Sequence, residues 1–363
     1  MLAAMLMIKP HDGPKLTAEQ AQELDDEFFS SRPLNYFSAR INSLLQSHDS
    51  AGTPGPSTEA FYSALGLGRR DLLQFEDDDR KLQVAVDALA LRHHVAESVL
   101  RLLHAISTPS GPDPISIWAT ITDGPTSLYE VVGLVKARLA DDQHLFHKSF
   151  FRVGTPSSET VTSLFDSAWA WMARALDLLT DNELTVNAAH NKLKHGLAVR
   201  ARNDVRVELV QGLVLDEQGN APVSAFQNGK STPLFDRPAV TYLARPHPHH
   251  KQGFELTSLL IDPPVVLAEA WMIAVVYTAM FHVAASAHFG DREADFAPYP
   301  TLHLGPTPET LLNGRFRGYR GVLTTPLRPE VQARQSGLFV NANDFVPITI
   351  DFDTVVQTTI VDA

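Results

Sequence analysis

Residues Asp77–Ile106 read DDDRKLQVAVDALALRHHVAESVLRLLHAI, and this run decides the fold. Leu82, Val86, Leu89, Val95, Val99, Leu102 and Leu103 recur at threes and fours, which makes one apolar face of an α-helix. Asp77, Asp78 and Asp79 place negative charge where a helix N-terminus favours it. Pro109, Gly111, Pro112 and Pro114 end the run. A long one-sided helix must bury its stripe against other helices. The neighbouring sequence offers them near Ser127–Ala140, over Ser158–Leu179 with Phe165, Trp169, Trp171 and Met172, and over Asn182–His195. Gly196 stops the last of these, as glycine does just past a helix end. A further helix, Val265–Phe289, returns to the bundle.

Around this core the pattern changes twice. In the N-terminal part, Thr17 caps a helix through Phe29, a second short helix covers Tyr36–Leu45 after Pro33, and Ser47–Pro56 reads as a linker. After Gly196 the period becomes alternating. Val205–Val210, Thr241–Leu243 and Phe254–Thr257 read as strands, with turns at Asp216–Asn220 and Gln227–Ser231. Late strands are expected at Gly337–Val340 and Val346–Asp351 in a tail rich in Pro and Gly. The expected fold is mainly α: a helical bundle with an inserted small antiparallel β-sheet and an irregular C-terminal tail. The expected division is 1–66 N-terminal helical arm and linker, 67–200 helical bundle, 201–262 β insertion, 263–290 returning helix and 291–363 C-terminal extension.

The chain has 363 residues, 44% of them hydrophobic and 20% charged, with a net charge of −12 and no cysteine. The charge opposes nonspecific adhesion to nucleic acid and anionic membranes. The missing cysteines exclude disulfides, thiolate nucleophiles and cysteine-ligated metal sites, and they fit a cytoplasmic protein. Met1–Ile8 is apolar but has no basic segment before it and ends at Lys9, so no signal peptide is expected. Val265–Phe289 is long enough to raise a membrane question. It holds Glu269, His282 and His288, so it is expected to be a buried core helix.

Two polar stripes are the candidate site. Asn187, His190, Asn191, Lys194 and His195 share one face of their helix. His93, Glu97, Arg101 and His104 fall within about 80° on theirs. Facing helices in a bundle can aim such groups at one point. The candidate catalytic set is therefore His93, Glu97, Arg101, Asn191, Lys194 and His195. The same residues also suit solvated helix faces: Glu97 and Arg101 are an i,i+4 pair in the favourable order, and His195 is a cation at a helix C-terminus.

The pieces Arg92-His93-His94-x-x-Glu97-x-x-x-Arg101-Leu102 and Asn191-x-x-Lys194-His195-Gly196 resemble an actinobacterial helical-bundle family of no established activity. The second piece is also similar to the HEPN group, many of whose members are toxin or defence RNases. The resemblance covers Asp77 to Arg202. For a HEPN-like bundle it implies metal-independent cleavage of RNA. In that reading His195 moves a proton at the ribose 2′-OH or the leaving oxygen. Lys194 and Arg101 stabilise phosphorane-like charge, and Asn191 holds the substrate. The HEPN ribonuclease motif, Arg followed by His after four to six residues, is not met at His195, where Asn191 takes the nearest polar place. It is met formally at Arg138–His144, with Leu139 where a polar residue is usual.

Gly314–Gly321 interleaves Arg315, Arg317 and Arg320 with Phe316 and Tyr319, a composition that grips phosphates and stacks bases. It equally suits a loop clamped by Asp and Glu. His144-x-x-His147 and His247-Pro248-His249-His250 are close in sequence, but no carboxylates join them at ligand spacing, so no metal is expected. Phosphate-loop, dinucleotide and serine-elbow motifs are absent, and no cofactor is expected. These readings favour a binding or regulatory protein with a protein partner or self-association and no membrane. The alternative is a metal-independent RNase or RNA-binding protein using the Asn191–His195 segment.

Overall fold

The computed structural model describes residues 8–49, 56–65, 77–109, 111–156, 158–180, 186–194, 198–203, 207–211, 230–235, 238–245, 253–302, 304–324, 334–342 and 344–348. The fold is mainly helical with a small antiparallel sheet, as the periodicities predict. Two compact units divide the chain: Met1–Arg69, Asp87–His190 and Pro263–Leu311 make a helical unit, and Arg70–Val86, Asn191–Asp262 and Leu312–Ala363 make a sheet unit.

In the helical unit, α1 (Ala18–Phe29) starts at a full capping box, with Thr17 and Gln20 each accepting from the other's backbone N–H. Helix α2 (Pro33–Asp49) opens on a proline, whose missing N–H costs nothing at that position. Helix α3 spans Pro56–Leu65. Helix α4 (Asp77–Ile106) has the predicted bounds and belongs to this unit from Asp87 onward, where Leu89, Val95, Val99, Leu102 and Leu103 are fully buried. Three helices follow: α5 (Ile117–Asp123), α6 (Leu128–Asp141) and α7 (Leu145–Phe150). Helix α8 (Glu159–Thr180) buries Trp171, whose Nε1 donates to the Pro306 carbonyl at 2.9 Å.

Helix α9 is described over Val186–Lys194, and the remaining expected residues, 182–185 and 195, lie outside the described ones. Helix α10 (Pro263–Phe289) is the axis of the unit and packs against α1, α2, α7 and α8. It is long and apolar enough to cross a membrane by composition alone, but 72% of its most apolar window is buried. The N-terminal helices are thus part of the bundle rather than an arm beside it. Pro308–Leu312 forms a last short helix, α11.

In the sheet unit, β1 (Arg200–Arg202), β4 (Ala239–Ala244), β5 (Glu255–Leu260), β6 (Phe316–Val322), β7 (Gly337–Val340) and β8 (Asp344–Pro347) form one sheet in that order. Strands β2 (Val207–Gln211) and β3 (Lys230–Phe235) pair separately. The late strands therefore belong to the same sheet as the inserted ones, and β6 closes it by pairing with β5. Strand β6 stands where composition suggested an Arg-rich loop. Gly318 is what admits it, because a Cβ there would run into the Ser258 carbonyl of β5. The expected turns at 216–220 and 227–229, and the histidines at 247, 249 and 250, lie outside the described residues.

Candidate functional site

The polar stripe of α4 meets partners at three levels along the helix. His93 is 1% exposed and its ring stacks on that of His190 of α9, centroids 3.9 Å apart at 19°. One turn on, Glu97 Oε1 accepts from Arg101 Nε at 2.7 Å, and Arg101 Nη1 donates to the Pro125 carbonyl at 3.1 Å. At the end of the helix Arg138 of α6 reaches across. Its Nη1 donates to the His104 carbonyl (2.6 Å), Ser107 Oγ (3.0 Å) and Thr108 Oγ1 (3.2 Å), and lies 3.2 Å from His104 Nδ1. Arg138 thus satisfies the carbonyl end of α4. Burial depresses the His104 imidazole, and the Arg138 and Arg101 charges depress it further. With Arg138 donating, Nδ1 of that neutral ring is the acceptor.

Of the six predicted catalytic residues, His93 meets α9, while Glu97 and Arg101 turn to each other and to the loop before α6. Asn191 and Lys194 are exposed, and His195 lies outside the described residues. The formal motif Arg138–His144 is likewise divided. Arg138 caps α4, while His144 begins α7, its backbone N–H donating to Asp142 Oδ1 at 2.9 Å. His147 packs its ring against Phe151 and Phe165.

The predicted nucleic-acid set is built into the sheet unit instead of a free basic strip. Arg317 is 8% exposed and donates to the Ala342 carbonyl at 3.0 Å. Arg320 is 2% exposed, donates to the Gln335 carbonyl at 3.0 Å and lies over the rings of Phe345 and Phe339. Arg315 pairs with Asp262 at 3.1 Å. Phe316 and Tyr319 pack on Leu338 with Leu260 and Ile348. A register shift between Phe316 and Gly318 interrupts the alternation, and the aromatic surface of Phe316 and Tyr319 goes into packing.

Inside the helical unit lies a charge cluster. Glu269 of α10 accepts from Arg92 of α4 and, at 3.0 Å, from Arg174 Nε of α8. All three side chains are at most 4% exposed. Burial depresses the Arg92 guanidinium, Glu269 works against that, and Arg174 adds to it. Three charges carried by three helices hold one another and tie α4, α8 and α10 together.

Elsewhere in the unit there is an open cleft of about 400 Å3. Its walls are Ala18, Ala21, Gln22 and Asp25 along one face of α1, Pro114 and Ile115 before α5, and His288 and Arg292 at the end of α10. Asp25 is nearly buried. It accepts from Ser116 Oγ (2.7 Å), Ile117 N (2.9 Å) and Trp118 N (3.0 Å), so it fastens the start of α5 to α1. Beside it, Asp26 takes two bonds from Arg292 (Nη1 3.0 Å, Nη2 2.9 Å) and one contact from His288 Nε2 at 2.6 Å. That carboxylate oxygen can only accept, so Nε2 carries the hydrogen. Burial raises the Asp26 carboxyl, but the Arg292 and His288 bonds and charges outweigh it and hold the carboxyl below the usual range. Ala18, Ala21, Pro114 and Ile115 supply apolar patches in an open cleft whose lining is more polar than apolar.

Sequence reasoning missed this cleft because its residues come from three distant segments. Glu269 did leave a signal: a carboxylate within a nearly charge-free helix needs cationic partners. Among the described residues no group of three or more His, Asp or Glu could hold a metal ion. No protein-family model, curated protein or solved structure matches the chain.

Proposed function

We propose that the chain is an intracellular binding or regulatory protein that holds a small organic ligand in the cleft between α1, the start of α5 and the end of α10. The observation that carries this reading is the cleft itself, with apolar patches at Ala18, Ala21, Pro114 and Ile115 beside the ordered Asp26–His288–Arg292 cluster. The α4 groups expected to do chemistry have partners within the fold: His93 stacks on His190, and Arg101 pairs with Glu97 and donates to the Pro125 carbonyl. An exposed cross-strand pair, Leu243 and Leu256, supports a protein partner or self-association through the sheet unit.

The experiment is a thermal-shift screen of neutral, anionic and cationic fragments against the protein and its Ala18→Phe variant. Ala18 is exposed, so the phenyl ring fills the cleft without disturbing the core. Fragments that stabilise the protein but not the variant are the expected result, since a ligand that binds only the folded state raises its stability. Equal shifts for both proteins would move the binding elsewhere. A second reading, RNA cleavage by the Asn191–His195 segment, draws on the exposure of Asn191 and Lys194. Mixed RNA incubated with EDTA, beside a His195→Ala variant, tests it: cleavage lost in the variant would replace the binding reading.

A further inference from the structure

We infer that the outward face of α6 docks a second copy of this chain, the two α6 helices lying antiparallel about a two-fold axis at Gly133. Helix α6 turns Val131, Val132 and Val135 into the helical unit. Its other side is exposed at Tyr129, Glu130, Gly133, Leu134, Lys136 and Ala137. Two of these are large apolar side chains, Tyr129 at 42% exposure and Leu134 at 37%. The middle of the face carries little bulk, with Gly133 and Ala137 one turn apart. A Cβ at Gly133 would meet nothing within 4 Å, so packing inside the chain does not call for glycine there. Glycine inside a helix costs stability relative to alanine, and what it provides is close access to the backbone for a second helix.

Charge complementarity selects the occupant. Glu130 and Lys136 stand three residues before and three after Gly133, on opposite flanks of it. They are about 9 Å apart along the axis, too far for a pair within the helix, and among the described residues neither has an ionic partner. A two-fold axis through Gly133, perpendicular to the helix, exchanges both height and flank. It brings Glu130 of one copy beside Lys136 of the other, and symmetry repeats the pair. The same operation sets Tyr129 on the partner's Ala137 and beside the partner's Leu134. A parallel pair would leave the opposite charges at different heights. The 14 residues of α6 span about 21 Å, so the contact is at the small end of protein interfaces. Each copy also carries a net charge of −12, which opposes approach. The dimer is therefore weak and concentration-dependent.

The test is sedimentation equilibrium of the full chain between about 10 and 500 µM, in about 0.15 M salt to screen the long-range repulsion. A monomer–dimer equilibrium is the expected result. Gly133→Gln fills the contact and weakens dimerisation at least tenfold, while the melting temperature holds or rises because glutamine is the better helix former. Glu130→Lys and Lys136→Glu each set like charges together and weaken it as well. The double exchange, at the parent's net charge, restores it. Circular dichroism checks that all variants keep the helical content of the parent. Should the chain stay monomeric throughout, or should Gly133→Gln dimerise as the parent does, α6 is not the docking face. Should Gly133→Gln remove the dimer while the double exchange restores nothing, the antiparallel register is overturned.

Discussion

Glu269 shows what one carboxylate does when it stands between two guanidiniums with almost no water. Exchange for the isosteric amide leaves Arg92 and Arg174 buried without their counter-charge. Glu269→Gln is expected to cost about 3–5 kcal/mol, read as a lower urea midpoint with an unchanged slope. Replacing all three residues with apolar side chains of similar volume restores much of that loss, because well-packed carbon carries no desolvation penalty. Asp26 makes a different statement, about pH. Its carboxyl is held below the usual range in the folded chain, so its contribution is present above the unfolded value of about 3.9 and is lost as pH falls through the folded value. Unfolding followed between about pH 6 and pH 2 should show a shallower acid limb in Asp26→Asn than in the parent.

Among the elements, α4 has an ending that depends on another helix. Pro109 and Pro112 lie beyond its last turn, and the carbonyl of His104 is satisfied by Arg138 from α6. Arg138→Met keeps the hydrocarbon stem and removes the donors. It should lower stability by about 1–2 kcal/mol and speed amide exchange in the last turn of α4, leaving the middle of that helix protected. The helices α1, α4, α6 and α8 were legible in sequence because each carries a continuous period, and α10 because it is a long, almost uniformly apolar run. Helices α3, α5 and α7 were not, since 6 to 10 residues give too few turns to show a face. Strand β6 was hidden by composition: two glycines among seven residues argue against a strand, and the close approach of Gly318 to Ser258 explains the first of them. The stripes were correctly placed on their helices, but a helical wheel gives direction around one axis only. It could bring His93 towards α9; it could not tell that Arg101 would turn to Pro125 and His104 to Arg138.

For the molecule as a whole, both units are assembled from separated segments. The helical unit takes α10 from between β5 and β6, and the sheet unit takes its strands from both sides of that helix. A chain ended at Leu312 keeps β1, β4 and β5 but loses β6, β7 and β8, leaving β5 as an open edge with Leu256 exposed beside it. Such a truncation should retain most of its far-ultraviolet helical signal and aggregate at concentrations where the full chain does not, as light scattering would show.

The pairing of Glu255 with Val322 carries the same logic into synthesis. While the ribosome is still adding the residues of α10 and the stretch after it, β5 has been made and its neighbour has not. A nascent chain therefore passes through a stage with one unsatisfied strand edge, and pauses in translation before β6 lengthen that stage. Chaperone demand should rise with such pauses, and synonymous codon changes over 290–315 would alter yield without altering a single side chain.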